Sequence, residues 1–288
     1  SLHERILSLP DDVAVYPTHG GGSFCSTAAV GERTTTIGRE RASNPLLAAP
    51  DEDAFVALLA ESYGSYPTYF GRLREVNRRG PRVLGGVPPL AQLGLEEVDR
   101  LRESGAELID ARSITAFAAG HAPGALSIAL RPAFGSWLGW LVPDDRTLLF
   151  VLDPQQDRRE LVRQATGIGY ERLAGELAGG MATWREAGRP VAVTELIRSP
   201  TDARPILDVR QASEYAAGHI PGARDLELGS LPALVDDVAD EVTIMCGQGL
   251  RAMTAASLLE RTGRRSAVFV GRPAAWAKAS GRPLEPTR

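Results

Sequence analysis

The chain has 288 residues, 43% of them hydrophobic, and a formal net charge of −4, which is apolar material enough for two domains in an ordinary soluble composition. Acids and bases are interspersed rather than blocked, so neither a nucleic-acid partner nor an anionic membrane surface is indicated, and no apolar run reaches the length of a membrane span. Cys25 and Cys246 stand far apart, which argues against a disulfide framework and for a reducing, cytoplasmic setting.

Leu2–Leu9 spaces its apolar residues as a helix does, Pro10-Asp11-Asp12 interrupts it, and Val13-Ala14-Val15-Tyr16 reads as a buried strand. Pro17-Thr18-His19-Gly20 follows, and a histidine at the carboxyl end of a strand, before a glycine-rich turn, stands where α/β proteins put ligands. Ser26 to Arg41 is helix-like and runs to Asn44-Pro45, a stop signal. Asp51–Glu61 reads as a helix with acids in its first turn and Phe55, Leu58 and Leu59 along one stripe; Tyr66 to Asn77 is a second. Glycines and prolines then mark a linker, set at 81–92. Ser1-Leu2-His3-Glu4 has neither a secretion signal nor an initiator methionine, so a piece of a longer protein is expected.

Beyond the linker the chain repeats itself. Ile109-Asp110-Ala111-Arg112 returns as Leu207-Asp208-Val209-Arg210, and Gly120-His121-Ala122-Pro123-Gly124 as Gly218-His219-Ile220-Pro221-Gly222, both displaced by 98 residues from Asp110 to Asp208 and from His121 to His219. A third marker, Trp184, returns at Trp276. Each copy reads as strand, helix, turn, strand, in alternation, which implies a parallel sheet covered on both faces. An acid and an arginine at a strand end more often fix loops than perform chemistry, so Asp208 and Arg210 are read as an ion pair and His219 as a turn residue.

The chemistry is expected at Cys246-Gly247-Gln248-Gly249-Leu250-Arg251. It follows the apolar run Val242-Thr243-Ile244-Met245 and precedes Ala252–Leu259, whose small and apolar residues suit a helix. Gly247 and Gly249 are expected at positive φ, turning backbone N–H groups toward the sulfur, and the positive helix end adds to the same point. Both effects favour an anion there, the form in which cysteine is a nucleophile. In the first copy, Leu148–Leu152 is the corresponding strand, and Asp153-Pro154-Gln155-Gln156-Asp157-Arg158 takes the place of the loop, with Asp153 where the cysteine would stand. A carboxylate takes up no sulfur and Pro154 removes an amide, so this copy is expected to be silent and to wall the other copy or dock partners.

The loop from Cys246 to Arg251, together with the repeated motifs, resembles the rhodanese family over residues 93–288, and its six-residue length is that of sulfurtransferases rather than of the related phosphatases, whose loop is one residue longer. The resemblance implies an α/β fold of two three-layer α/β/α domains with parallel sheets, 93–192 inactive and 193–288 active. It further implies a persulfide on Cys246, Arg251 closing the loop, and Gly247, Gln248, Gly249 and Leu250 lining the substrate. Small sulfur donors and thiol acceptors are the implied partners. Val15-Tyr16-Pro17-Thr18-His19-Gly20, Glu40-Arg41 and Asn44-Pro45 resemble the C-terminal part of the metallo-β-lactamase fold of glyoxalase II and persulfide dioxygenases, which implies a partial domain over 1–80. By that resemblance His19 is a candidate ligand position in the larger fold, whose iron or zinc would sit in a full-length parent. The histidine-rich metal signature is absent from this sequence, so no complete metal site and no cofactor is expected in it. Helices cut off from their usual partner leave apolar faces, for which a homodimer contact is an expected remedy. The function expected is transfer of sulfane sulfur in persulfide or sulfide metabolism; the alternative is a carrier or docking module that holds sulfur without turnover.

Overall fold

The computed structural model of the chain describes residues 2–17, 34–62, 65–80, 82–201 and 203–286. It divides into two compact units, Ser1–Tyr66 and Pro67–Arg288. His19 and Cys25 lie outside the described residues.

In the first unit a π-helical turn over Leu2–Ile6 precedes β1 (Ala14–Val15), which pairs antiparallel with β2 (Thr35–Thr36). Ala14 is exposed and Val15 only half-buried. The expected buried strand is thus a short surface ribbon, because two strands of two residues cannot enclose each other. Thr35 and Thr36 are extended where a helix was expected, in keeping with their branching at Cβ. Helix α1 (Ile37–Ser43) starts only after them, with the Thr36 side chain accepting the Arg39 N–H at 3.3 Å. Asn44 closes it, and α2 (Glu52–Ser62) follows, its first turn held by the Asp51 carboxylate accepting the Ala54 N–H at 2.8 Å.

The second unit opens with α3 (Phe70–Arg79), which lies on the first copy of the repeat. Thr68 donates its hydroxyl to the Gly139 carbonyl at 2.9 Å, and Arg72 donates to the Ile168 carbonyl at 3.0 Å and pairs with Asp144. Gly139 makes room for the fit, since a Cβ there would stand 2.3 Å from the Tyr69 ring. This helix, expected to await a partner beyond the chain, has one within it.

Each copy carries five parallel strands. In the first, β3 (Gln92–Leu93), β4 (Glu107–Asp110), β5 (Leu126–Ser127), β6 (Leu148–Val151) and β7 (Leu173–Leu177) lie in the order β3-β7-β6-β4-β5. In the second, β8 (Glu195–Ile197), β9 (Ile206–Asp208), β10 (Arg224–Asp225), β11 (Glu241–Met245) and β12 (Arg265–Phe269) lie in the order β8-β12-β11-β9-β10, the same arrangement copy for copy. The first sheet is flanked by α4 (Leu95–Glu103), α5 (Ile114–Ala118), α6 (Phe134–Leu141), α7 (Arg158–Gly167) and α8 (Gly180–Glu186), the second by α9 (Ala212–Ala216), α10 (Leu250–Glu260) and α11 (Pro273–Ser280). Central strand β6 is buried along its whole length, as unbroken apolar runs are when both faces of a parallel sheet are covered.

The duplicated motifs do the same structural task twice. Asp110 accepts the Arg112 guanidinium at 2.6 and 2.9 Å, and Arg112 also donates to the Gly120 carbonyl at 3.0 Å. Asp208, Arg210 and Gly218 repeat this at 2.6, 2.9 and 2.9 Å. Both pairs are buried, so each strand end is locked to the following turn by charge-assisted bonds whose partners are all supplied. His121 and His219 stack on Phe117 and Tyr215 in the same turns, at 3.6 and 3.7 Å between rings.

Helix α10 explains its own composition. Ala252, Met253, Thr254, Ala255, Ala256, Ser257 and Leu259 are all buried, because the helix lies between its own sheet and β5 of the other copy. Thr254 donates its hydroxyl to the Ser127 carbonyl at 2.6 Å, and the Ser127 N–H donates to the Ser257 hydroxyl at 3.0 Å. Small side chains let the two copies close on one helix and share one apolar cluster.

Candidate active site

Cys246 is the first residue beyond β11, and it is only 1% exposed. Four residues separate strand from helix, so the chain must reverse sharply, and it does so at Gly249, whose φ is 84°. That conformation aims the Gly249 N–H at the Cys246 Sγ, to which it donates at 3.1 Å. Helix α10 begins at the next residue, so its unpaired N-terminal amides and positive end face the same region. Gly247, expected to share the left-handed conformation, does not adopt it, and a Cβ there would meet only the tip of Arg251 at 3.6 Å. A four-residue reversal needs one left-handed residue, and the helix start puts it at Gly249. Gln248 is exposed at the tip and Leu250 is half-buried.

Arg251 turns toward α9, donating to both carboxylate oxygens of Glu214 at 2.5 and 2.9 Å. Burial works to lower the guanidinium, but the Glu214 carboxylate outweighs it and holds Arg251 above its ordinary range. Burial likewise works to raise Glu214, and Arg251 outweighs it, holding that carboxyl below the usual carboxylate range. The pair ties the loop to α9, so Arg251 shapes the cradle by holding it. Glu214 was not expected in the site; the signal for it was its place three residues after Gln211, whose N–H it accepts at 3.2 Å in a capping box.

The other copy supplies the wall. Ile128, Ala129, Arg131 and Trp137 face Leu250, Arg251 and Thr254 across a narrow cleft. A Cβ on Gly249 would stand 3.2 Å from the Ile114 side chain. Burial, and then the like charge of Arg251, push the Arg131 guanidinium below its ordinary range, while Cys246 works against them. None of these groups was expected from the sequence, because they reach the loop from more than a hundred residues away in the chain. Farther along α10 the copies are latched: the His121 ring faces the Phe117 carbonyl at 2.9 Å and the Glu260 carboxylate at 2.8 Å, and Glu260 also accepts the Gly124 N–H at 3.3 Å. Arg261 donates to the Gly124 carbonyl at 2.9 Å and pairs with Glu107.

The corresponding loop of the first copy is built the other way round, and its register differs from the expected one. The N–H of Ala111 bonds to the Val151 carbonyl as that of Val209 does to Met245, and Asp110 pairs with Val151 as Asp208 pairs with Met245. Leu152, buried at 3% exposure, therefore occupies the cysteine position, and Asp153 falls one residue later. Matching the loops by their closing arginines failed because this loop has two more residues between strand and helix, 152–157 against 246–249. Arg158 curls back into it and donates to the carbonyls of Asp153, Pro154 and Gln156 at 2.8, 2.9 and 2.6 Å while pairing with the buried Glu176 at 3.0 Å. Gln156 takes the Asp153 N–H at 2.8 Å. With carbonyls converging on a guanidinium, this loop has no place for an anion.

Among the described residues no three His, Cys, Asp or Glu side chains gather as a metal site; His19 lies outside those residues. No helix among them is long and apolar enough to cross a membrane.

The sequence profile of the rhodanese-like domain matches residues 94–187 and 192–279. Over 67 residues the chain is 34% identical to "Putative sulfur carrier protein YrkF" of Bacillus subtilis (strain 168), a stretch that is 23% of this chain and 36% of that protein. Among solved structures it is similar to the metallo-beta-lactamase from Staphylococcus aureus subsp. aureus COL, with 25% identity and a TM-score of 0.46 over 60% of this chain and 47% of that one. It is also similar to the thiosulfate sulfurtransferase from Pseudomonas aeruginosa, with 21% identity and a TM-score of 0.29 over 70% and 45%. The chain thus spans about a third of the curated relative, 36%, and less than half of either solved structure.

Proposed function

The chain belongs to the rhodanese-like domain family, of which it carries two copies, and on that premise we propose that it is a sulfurtransferase moving sulfane sulfur through a persulfide on Cys246. The single observation that carries this reading is the Gly249 N–H donated to the Cys246 Sγ at 3.1 Å at the start of α10. An N–H so placed, with the start of α10 beside it, is a donor that can hold the sulfur of the cysteine as it takes part in transfer. The thiolate attacks the terminal sulfur of thiosulfate or of an organic persulfide. A bond forms between the two sulfurs, the donor's own bond to that sulfur breaks, and the electron pair leaves with sulfite or with the thiolate of the donor. A thiol acceptor or cyanide then attacks the terminal sulfur of the Cys246 persulfide, and its bond to the cysteine sulfur returns as the thiolate. Arg251 positions the loop through Glu214, and Gln248, Gly247 and Leu250 border the entering donor.

The residues at Val15–Gly20, Glu40-Arg41 and Asn44-Pro45 support placing this activity in a fusion with a metallo-β-lactamase-fold domain acting on persulfides. There the metal chemistry would lie with the other part of that domain and the rhodanese copies would handle the sulfur. The near-complete burial of Cys246 favours a second reading, a carrier that keeps its sulfur until a partner opens the site. The test is formation of thiocyanate from thiosulfate and cyanide, with the mass of the Cys246 peptide followed in parallel. Gain of one sulfur atom on that peptide and loss of turnover in Cys246→Ser are expected; full turnover by Cys246→Ser refutes the assignment. Stable loading without turnover selects the carrier.

A further inference from the structure

A cavity of about 770 Å³ opens at the other end of β11 from the cysteine, a volume within the ~300–1,000 Å³ of pockets that hold small organic ligands. Glu241, the first residue of β11, lines it, whereas Cys246 follows the last, and five residues of extended strand separate the two by roughly 16 Å. Both copies contribute to its walls: Pro123 and Gly124 come from the first, and the far end of α10 and the start of β12 from the second. The carboxylates on it are already engaged. Glu195 and Glu241 both pair with Arg204, at 2.6 and 3.1 Å, and Glu260 is held by His121 and the Gly124 N–H. The guanidinium of Arg264 is not so matched. Its side chain is only 13% exposed and donates to the Val238 carbonyl at 3.0 Å and the Thr262 hydroxyl at 2.8 Å. The one carboxylate paired with it among the described residues, Asp236, is 94% exposed and 3.5 Å away. Its neighbour Arg265 reaches Glu241 at 3.4 Å, a carboxylate that Arg204 shares. A mostly buried cation met chiefly by neutral acceptors is costly unless an anion completes it.

We propose that this cavity is a second binding site, separate from the cysteine loop, for a small organic phosphate of the nucleotide type, with Arg264 and Arg265 taking the phosphate. Two adjacent guanidinium forks match phosphate oxygens in geometry as well as in charge. Val193, 71% exposed, and Pro123 line the same cavity and offer apolar surface to a ring. Glu195 and Glu241 keep lone pairs for the hydroxyl and amino groups of such a ligand, since a carboxylate accepts several hydrogen bonds at once. A ligand seated there touches both copies and binds only when they are folded together, so it stabilises the pair of them.

The test is titration calorimetry of the full chain with adenosine monophosphate, adenosine, inorganic phosphate and glutathione, with the melting midpoint followed in parallel. Adenosine monophosphate is expected to bind at one site and to raise the midpoint, while adenosine and inorganic phosphate, each keeping part of the contacts, bind more weakly. Arg264→Ala is expected to weaken adenosine monophosphate on the order of ten-fold, the size of one charge-assisted hydrogen bond. Should that variant fail to fold, Arg265→Glu, at a side chain 80% exposed, keeps the fold and brings a loss at least as large. Cys246→Ser binds as the unaltered protein does, because the two sites lie at opposite ends of β11. Absence of saturable binding by adenosine monophosphate overturns the proposal, as does binding that neither arginine variant weakens. Inorganic phosphate binding as tightly as the nucleotide overturns the organic ligand, and glutathione binding more tightly than the nucleotide overturns the phosphate. Sulfur loading at Cys246 is read separately, so its failure leaves this result standing.

Discussion

Replacing Gly249 by Ala tests the geometry on which the site depends, with Gly247→Ala as its internal control. At a φ of 84° a Cβ costs about 1–2 kcal/mol in backbone strain. The new methyl would meet the Ile114 Cδ1 at 3.2 Å, a contact that the flexible end of an isoleucine can relieve by a small shift. If the backbone relaxes instead, the N–H bonded to Cys246 Sγ turns away, and loss of such a bond costs about 0.5–1.5 kcal/mol. As these are alternatives, the predicted loss is about 1–2 kcal/mol, or roughly 2–8 °C in melting midpoint for a unit of this size. Gly247 has an ordinary φ and room for a methyl, so its alanine variant should stay within about 0.5 kcal/mol. Thermal and urea unfolding give the stability, and the rate of sulfur loading on the Cys246 peptide gives the chemistry. Gly249→Ala should fall in both and Gly247→Ala in neither. Equal behaviour of the two variants would refute the claim that one left-handed glycine holds the amide on the sulfur.

Leu152→Cys places a thiol at the position that the sheet register equates with Cys246, and it should remain unloaded by thiosulfate, because the carbonyls of Asp153, Pro154 and Gln156 stay turned onto Arg158; mass analysis of that peptide checks it, alongside a stability loss of about 1–3 kcal/mol from the shortened core side chain. The latch between the copies should weaken in acid. Burial raises the Glu260 carboxyl, but the His121 ring, the Gly124 N–H and Arg261 outweigh it and hold it below its ordinary value of 4.5. A carboxyl depressed on folding contributes stability that is fully present above its unfolded value and is lost as pH falls through its folded one. Urea midpoints followed from neutral pH into the acid range should therefore decline more steeply in the unaltered protein than in Glu260→Gln.

Two copies of one fold and a cysteine at the turn from strand to helix were legible in the order of the residues, because they are written in local patterns. A motif returning after 98 residues needs no coordinates to be seen, and neither does a cysteine between an apolar run and a helix of small residues. Even the composition of α10 was visible, though not its reason, which is that both copies close upon it. What remained hidden arises across distance. Hydrogen bonds between strands, rather than loop lengths, put Leu152 of the first copy in the place that Cys246 holds in the second. A carboxylate from α9 engages Arg251, and Arg131 and Trp137 arrive from the sister copy. Local chemistry is carried by neighbours along the chain, whereas the charge balance around a buried sulfur is a sum over neighbours in space, and only the folded chain determines which those are.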